Sequence, residues 1–153
     1  MKDVSLVKKH LLDSCNKYVD NRLTKLKTQI ATIQESLLNE TKSTAGDKHE
    51  TGRAMVQLER EKTGQQLLET EKLQKIISRV NIENSSEFAK LGSLVLTSQA
   101  NYFIAISAGK MEMENSVYFA ISADTPIGKL LIGKKIDERV IFNNNEIIIK
   151  NIF

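Results

Sequence analysis

The sequence has no Trp, one Pro and one Cys, and only 5% of its 153 residues are aromatic. With Cys15 alone, no internal disulfide forms, so the fold must be held by its core. Low aromatic content argues against a base-stacking platform for single-stranded nucleic acid. No apolar run approaches the roughly 20 residues of a membrane span. The start, Met1-Lys2-Asp3-Val4-Ser5, lacks the apolar stretch of a signal peptide. The sequence shows no Ser/His/Asp set, metal-ligand cluster or Gly-rich phosphate loop, which speaks against an autonomous hydrolase. These features fit a soluble cytoplasmic protein.

What is present is enough apolar material for a core, at 41% hydrophobic residues. The formal net charge is +3 and is unevenly spread. Residues 1–80 carry 15 Lys and Arg against 11 Asp and Glu, a net of +4, while residues 81–153 carry 7 against 8, a net of −1. A mildly basic arm on a near-neutral body is compatible with touching nucleic acid, but too weak for a free-standing DNA binder.

The composition changes near residue 80. Before it there is no Pro, and apolar residues recur at Leu11/Leu12, Cys15, Val19, Leu23, Leu26, Ile30, Ile33 and Leu37. Steps of three and four are the mark of an apolar seam on a long helix. A second seam runs through Met55, Leu58, Leu68, Leu73, Ile76/Ile77 and Val80, and the polar stretch 39–47 between the two reads as a turn. An antiparallel hairpin centred on residue 44 pairs Ile33 with Met55, Ile30 with Leu58, Cys15 with Leu73, Leu12 with Ile76 and Leu11 with Ile77. Gly64 and Gln65 form the weak layer, opposite Leu23. A helix of about 35 residues is on the order of 50 Å long, and that length is a means of reach. Two helices of a compact bundle are the other reading, disfavoured because few later helices exist to complete one.

Residues 81–153 read differently. Leu94–Leu96, Tyr102–Ile106, Val117–Ile121, Arg139–Phe142 and Glu146–Ile149 are short runs rich in β-branched and aromatic residues. Asn143-Asn144-Asn145 reads as a hairpin turn. Thr125-Pro126 before Ile127–Ile132 predicts a short helix with Pro at its first position. The fold class is therefore α+β: a helical hairpin over 1–80, then a small, mostly antiparallel sheet with one helix over 81–153.

Two local patterns are candidates for chemistry. In Gly46-Asp47-Lys48-His49-Glu50-Thr51 at the bend, two carboxylates stand three residues apart. If Glu50 lies in a first helical turn, Asp47 is at or near its N-cap, and both acids can face one side. Such a pair is either a capping arrangement or an incomplete metal site. His49 is a turn residue or a proton shuttle. Lys42, Lys48, Arg53, Arg60 and Lys62 are a solvated face or contacts to RNA phosphates. The second pattern is Ser122-Ala123-Asp124-Thr125-Pro126, where Asp124 is free to take a charge-assisted bond from a basic partner and Pro126 stiffens the loop. Capping of the following helix by Asp124 or Thr125 is compatible with that.

Taken together, the hairpin, the Gly46–Thr51 motif and the segment Ile121-Ser122-Ala123-Asp124-Thr125-Pro126-Ile127-Gly128-Lys129-Leu130-Leu131-Ile132-Gly133-Lys134 resemble the bacterial Gre-type transcription elongation (transcript cleavage) factor family. The tip is similar to that family's Gly-Asp-x-Ser-Glu-Asn, and the second segment to its Ile-Ser-x-x-Ser-Pro-x-x-x-x-Leu-x-Gly-Lys. The resemblance implies an N-terminal coiled-coil hairpin and a C-terminal domain of FKBP-like fold. It implies a monomer that binds bacterial RNA polymerase through its secondary channel, next to the nascent RNA. In that setting Asp47 and Glu50 would complete a second Mg²⁺ site shared with the polymerase, with no metal held tightly by the free protein. The chain would then be an accessory factor to the polymerase's own endonuclease, docked through Ser122, Asp124 and Pro126. His49 stands where the family has Ser and Thr51 where it has Asn. Thr51-Gly52-Arg53-Ala54 covers the place of its usual acid-Tyr pair. Two alternatives stay open: a polymerase regulator without cleavage, and a coiled-coil adaptor or chaperone-like module.

Overall fold

A computed structural model describes residues 3–42 and 47–153, with side chains described outside residues 40–50. Two long helices, α1 (Val4–Lys42) and α2 (Asp47–Ser78), precede β1 (Leu94–Thr97), β2 (Asn101–Ala105), β3 (Gly109–Met113), β4 (Ser116–Ser122), α3 (Pro126–Leu131), β5 (Arg139–Phe142) and β6 (Asn145–Ile152). This is the α+β order expected. Among the described residues, no helix is long and apolar enough to cross a membrane. The chain divides into two units: Met1–Tyr18 with Lys75–Phe153, and Val19–Gln74.

In the unit Val19–Gln74, α1 buries Val19, Leu23, Leu26 and Ile33. The facing stripe of α2 differs from the expected one. Thr63 and Thr70 are buried and Val56 half-buried, a strict seven-residue spacing that Ile77 continues along the helix. Met55, Leu58 and Leu68 are instead 67%, 65% and 55% exposed, so Ile33 does not pack on Met55, nor Ile30 on Leu58. The reason lies in helical geometry. Ten residues separate Leu58 from Leu68, which turns them roughly 80° apart, whereas the threonine column drifts only about 20° per heptad and holds one line. Arg22 Nε donates to Thr70 Oγ1 at 3.2 Å, four residues beyond Gln66, its expected opposite. Thr70 Oγ1 in turn donates to the Gln66 carbonyl at 2.8 Å. A Cβ at Gly64 would stand 2.8 Å from Arg60 Nη1, the far end of a flexible side chain that can move aside.

The other unit is built on a six-stranded sheet of order β3-β4-β2-β1-β6-β5. All pairings are antiparallel except β2 with β4, which run parallel with Tyr102 opposite Phe119 and Ile104 opposite Ile121. One face carries Val95, Ile104, Ile121, Ile147 and Ile149 in a cluster closed by Ile127 and Leu131 of α3. Leu94 and its cross-strand neighbour Phe103 are also buried. The foot of α1 meets the sheet there, with Val4 and Val7 lining a cavity of about 200 Å³ together with Leu94, Leu96 and Tyr118. Cys15 is fully buried and takes a hydrogen bond from the Ile106 backbone.

The five strand runs read in the sequence are all strands. The sixth, β3, was not foreseen. Gly109-Lys110-Met111-Glu112-Met113 has no β-branched or aromatic residue, and it is extended because it pairs along its length with β4. The connecting Glu114 and Asn115 have φ of 47° and 66°, the left-handed pair that a two-residue hairpin turn demands. Asn143 and Asn144, at φ 52° and 64°, do the same for the last hairpin.

Candidate functional site

The Ser122–Pro126 loop is built by short-range hydrogen bonds. β4 ends at Ser122, whose Oγ accepts from the Asp124 backbone N–H at 3.2 Å. Thr125 is extended, at φ −71° and ψ 157°, and is the N-cap of α3. Its Oγ1 accepts from the Gly128 N–H at 3.1 Å and donates to the Ser122 carbonyl at 2.7 Å. One hydroxyl thus ties the strand end to the helix start. Pro126 occupies the first helical position, where its missing N–H costs nothing.

Gly128 completes the arrangement. A Cβ on it would lie 2.2 Å from the Ser122 carbonyl oxygen and 2.9 Å from Thr125 Oγ1. Only glycine lets helix and strand end approach so closely. Within this rigid loop Asp124 and Pro126 are exposed and Ser122 is half-buried. Among the described residues no donor engages the Asp124 carboxylate, and Thr125 rather than Asp124 does the capping. Asp124 is therefore an anion held on a stiff loop.

At the other candidate site, the backbone of α2 begins at Asp47, so Asp47 and Glu50 fall within one turn at the head of a 32-residue helix. The side chains of Asp47, Lys48, His49 and Glu50, and that of Lys42, lie outside the described residues. Further along α2, Arg53 and Lys62 are exposed and Arg60 is half-buried. The Arg60 guanidinium lies beside Gly64. Among the described residues, no three His, Cys, Asp or Glu side chains come together as metal ligands.

One residue that sequence reasoning passed over is Lys8. It is only 3% exposed, and burial together with nearby Lys90 holds its ammonium below the usual lysine range. A signal was there: Lys8 stands three, four and seven residues before Leu11, Leu12 and Cys15, in line with the seam.

No family model matches the chain, and neither does the sequence of any curated protein. Among solved structures it is similar to the transcription factor Gfh1, with 18% identity over 92% of each chain and a TM-score of 0.34. The functional reading therefore rests on the residues.

Proposed function

We propose that this chain is a transcription elongation factor of the Gre type. In this reading it binds bacterial RNA polymerase as a monomer and stimulates the polymerase's cleavage of backtracked nascent RNA. The observation that carries the reading is the start of α2 at Asp47, which sets Asp47 and Glu50 within one turn at the head of a long helix. Their chemistry fits Mg²⁺, which takes carboxylate oxygens and retains waters. Two carboxylates supply too little of an octahedral shell to hold the ion alone, so the remaining ligands come from the polymerase. Bound there, the ion supplies an activated water for phosphodiester cleavage. The exposed Asp124 on its rigid loop, with Ser122 and Pro126, is the docking element.

A second reading is favoured by Thr51-Gly52-Arg53-Ala54, where the resemblance calls for an acid-Tyr pair. Glycine in the second turn of a helix weakens it by about 1 kcal/mol relative to alanine, and a less firmly held pair of acids yields a regulator that occupies the polymerase without cleavage. The experiment that decides is incubation of stalled, backtracked elongation complexes with Mg²⁺ and the protein. Shortening of the RNA that is lost with Asp47→Asn and Glu50→Gln supports the first reading. Reduced synthesis without shortening supports the second. Failure to co-migrate with polymerase refutes both and leaves an adaptor.

A further inference from the structure

In the unit Val19–Gln74, α2 offers α1 two stripes, and the one it uses is not the more apolar. On α1 the buried Val19, Leu26 and Ile33 stand at intervals of seven residues. On α2 the facing column is Val56, Thr63 and Thr70, at the same interval, while Met55 and Leu58 stay in solvent. Sliding α2 by one turn and rotating it would set Met55 and Leu58 against Ile33 and Ile30. The same motion would carry Val56 and the methyl groups of Thr63 and Thr70 outward. Those apolar gains and losses oppose one another, and apolar contact is non-directional. Between registers of an evenly spaced seam, a single polar layer makes the choice. The hairpin has such a layer. Arg22 Nε donates to Thr70 Oγ1 at 3.2 Å, and the same hydroxyl donates to the Gln66 carbonyl at 2.8 Å. In the other register Arg22 faces Gln66 and this bond is lost.

We propose that the Arg22–Thr70 bond is a register lock, holding α2 in the observed register against a one-turn slide. The two residues suit the task. Thr70 is buried, and its bond to its own helix fixes the direction of its hydroxyl. Arg22 is exposed and reaches it from outside. A one-turn slide displaces α2 along α1 by about 5.4 Å. The lock therefore sets the axial level at which α2 begins, at Asp47. It is independent of the polymerase reading, because it requires no chemistry of Asp47 and Glu50 and no contact of the Ser122–Pro126 loop.

The test is methyl NOE spectroscopy of the full chain, read at Ile33 and Met55. Wild type should show no contact between them. Arg22→Leu with Thr70→Val removes both ends of the bond and keeps the bulk at position 70. The shifted register should then rise in population by about tenfold, the scale of one charge-assisted hydrogen bond, and Ile33–Met55 cross-peaks should appear. Arg22→Met alone changes only an exposed position and should give the same cross-peaks, which keeps the test sharp should the double variant fail to fold. Thr70→Ser retains the hydroxyl and should keep the wild-type pattern. Leu26→Ala should lower Tm and also keep it, since it weakens the seam without touching the lock. Absence of the Ile33–Met55 contact in Arg22→Met and in the double variant would overturn the proposal. So would its appearance in Thr70→Ser or Leu26→Ala, because packing and not the bond would then hold the register.

Discussion

At the residue scale, two positions make the sharpest demands. Gly128 has its Cβ position within 2.2 Å of a backbone carbonyl, and backbone cannot swing aside as a flexible side chain does. Gly128→Ala should cost about 2 kcal/mol or more in urea denaturation, despite the better helix propensity of alanine. A change smaller than about 0.5 kcal/mol would show that the loop yields. Thr125-Pro126 was legible because capping chemistry is local in sequence. The need for glycine at 128 was not, because it arises from a carbonyl on the preceding strand that only the folded loop brings near. Cys15 makes a different demand. Burial pushes its thiol from about 9.0 up to about 11. Between those values the folded chain keeps a proton that the unfolded chain has released, so stability is whole below about pH 9 and falls as pH rises toward 11. Two units correspond to at most about 3 kcal/mol. Tyr102 is also pushed up by burial, but it is common to wild type and Cys15→Ala and cancels between them. Cys15→Ala should therefore be the less stable protein at pH 8, with a deficit that shrinks or reverses by pH 11. A deficit constant with pH would place the thiol outside the core.

At the scale of the element, the existence of α1 and α2 and the buried stripe of α1 (Leu11, Cys15, Val19, Leu23, Leu26, Ile33) were legible, and the facing stripe of α2 was not. Apolar identity pointed to Met55, Leu58 and Leu68, but a seam is chosen by constant spacing as much as by hydrophobicity. The seven-residue column that contains Val56, Thr63 and Thr70 holds one line, with threonine at two of its buried positions. The Thr70 hydroxyl is satisfied there by Arg22 and by the Gln66 carbonyl. The consequence is measurable by thermal or urea unfolding. Leu58→Gln should change stability by less than about 0.5 kcal/mol, as exposed positions do. Leu26→Ala, in the buried stripe, should cost about 2 to 4 kcal/mol. Thr63→Val, which keeps the shape and sets a methyl group in the buried stripe in place of the hydroxyl, should gain about 0.5 to 1 kcal/mol. A large loss from Leu58→Gln would restore the register read from apolar identity. β3 teaches the converse lesson about strands. Its residues have no strand preference of their own, and its partner strand β4 supplies the conformation that its sequence does not announce.

At the scale of the whole molecule, the proposed activity divides between two chemistries in two units of the chain, and the division can be measured. Asp124, exposed on a loop fixed by Thr125 and Gly128, is suited to affinity: a charge-assisted bond to a basic residue of the polymerase. In the proposed activity Asp47 and Glu50 would serve the chemical step, where they would hold an ion and add little to affinity. A factor of this kind should show two distinct classes of defect. Asp124→Lys replaces attraction by repulsion and should weaken polymerase binding by about tenfold or more. RNA cleavage in backtracked complexes should return as the concentration of this variant is raised, because the acids are intact. Asp47→Asn and Glu50→Gln should bind within about twofold of wild type and yet give no Mg²⁺-dependent shortening at any concentration, the mark of an interaction made only in the reaction itself. Excess Asp47→Asn should also compete with wild type for the polymerase and suppress its cleavage. If Asp124→Lys cannot be rescued by concentration, or if the acid variants lose affinity instead of activity, the loop and the tip are not divided in this way. The docking role assigned to the Ser122–Pro126 segment would then have to be withdrawn.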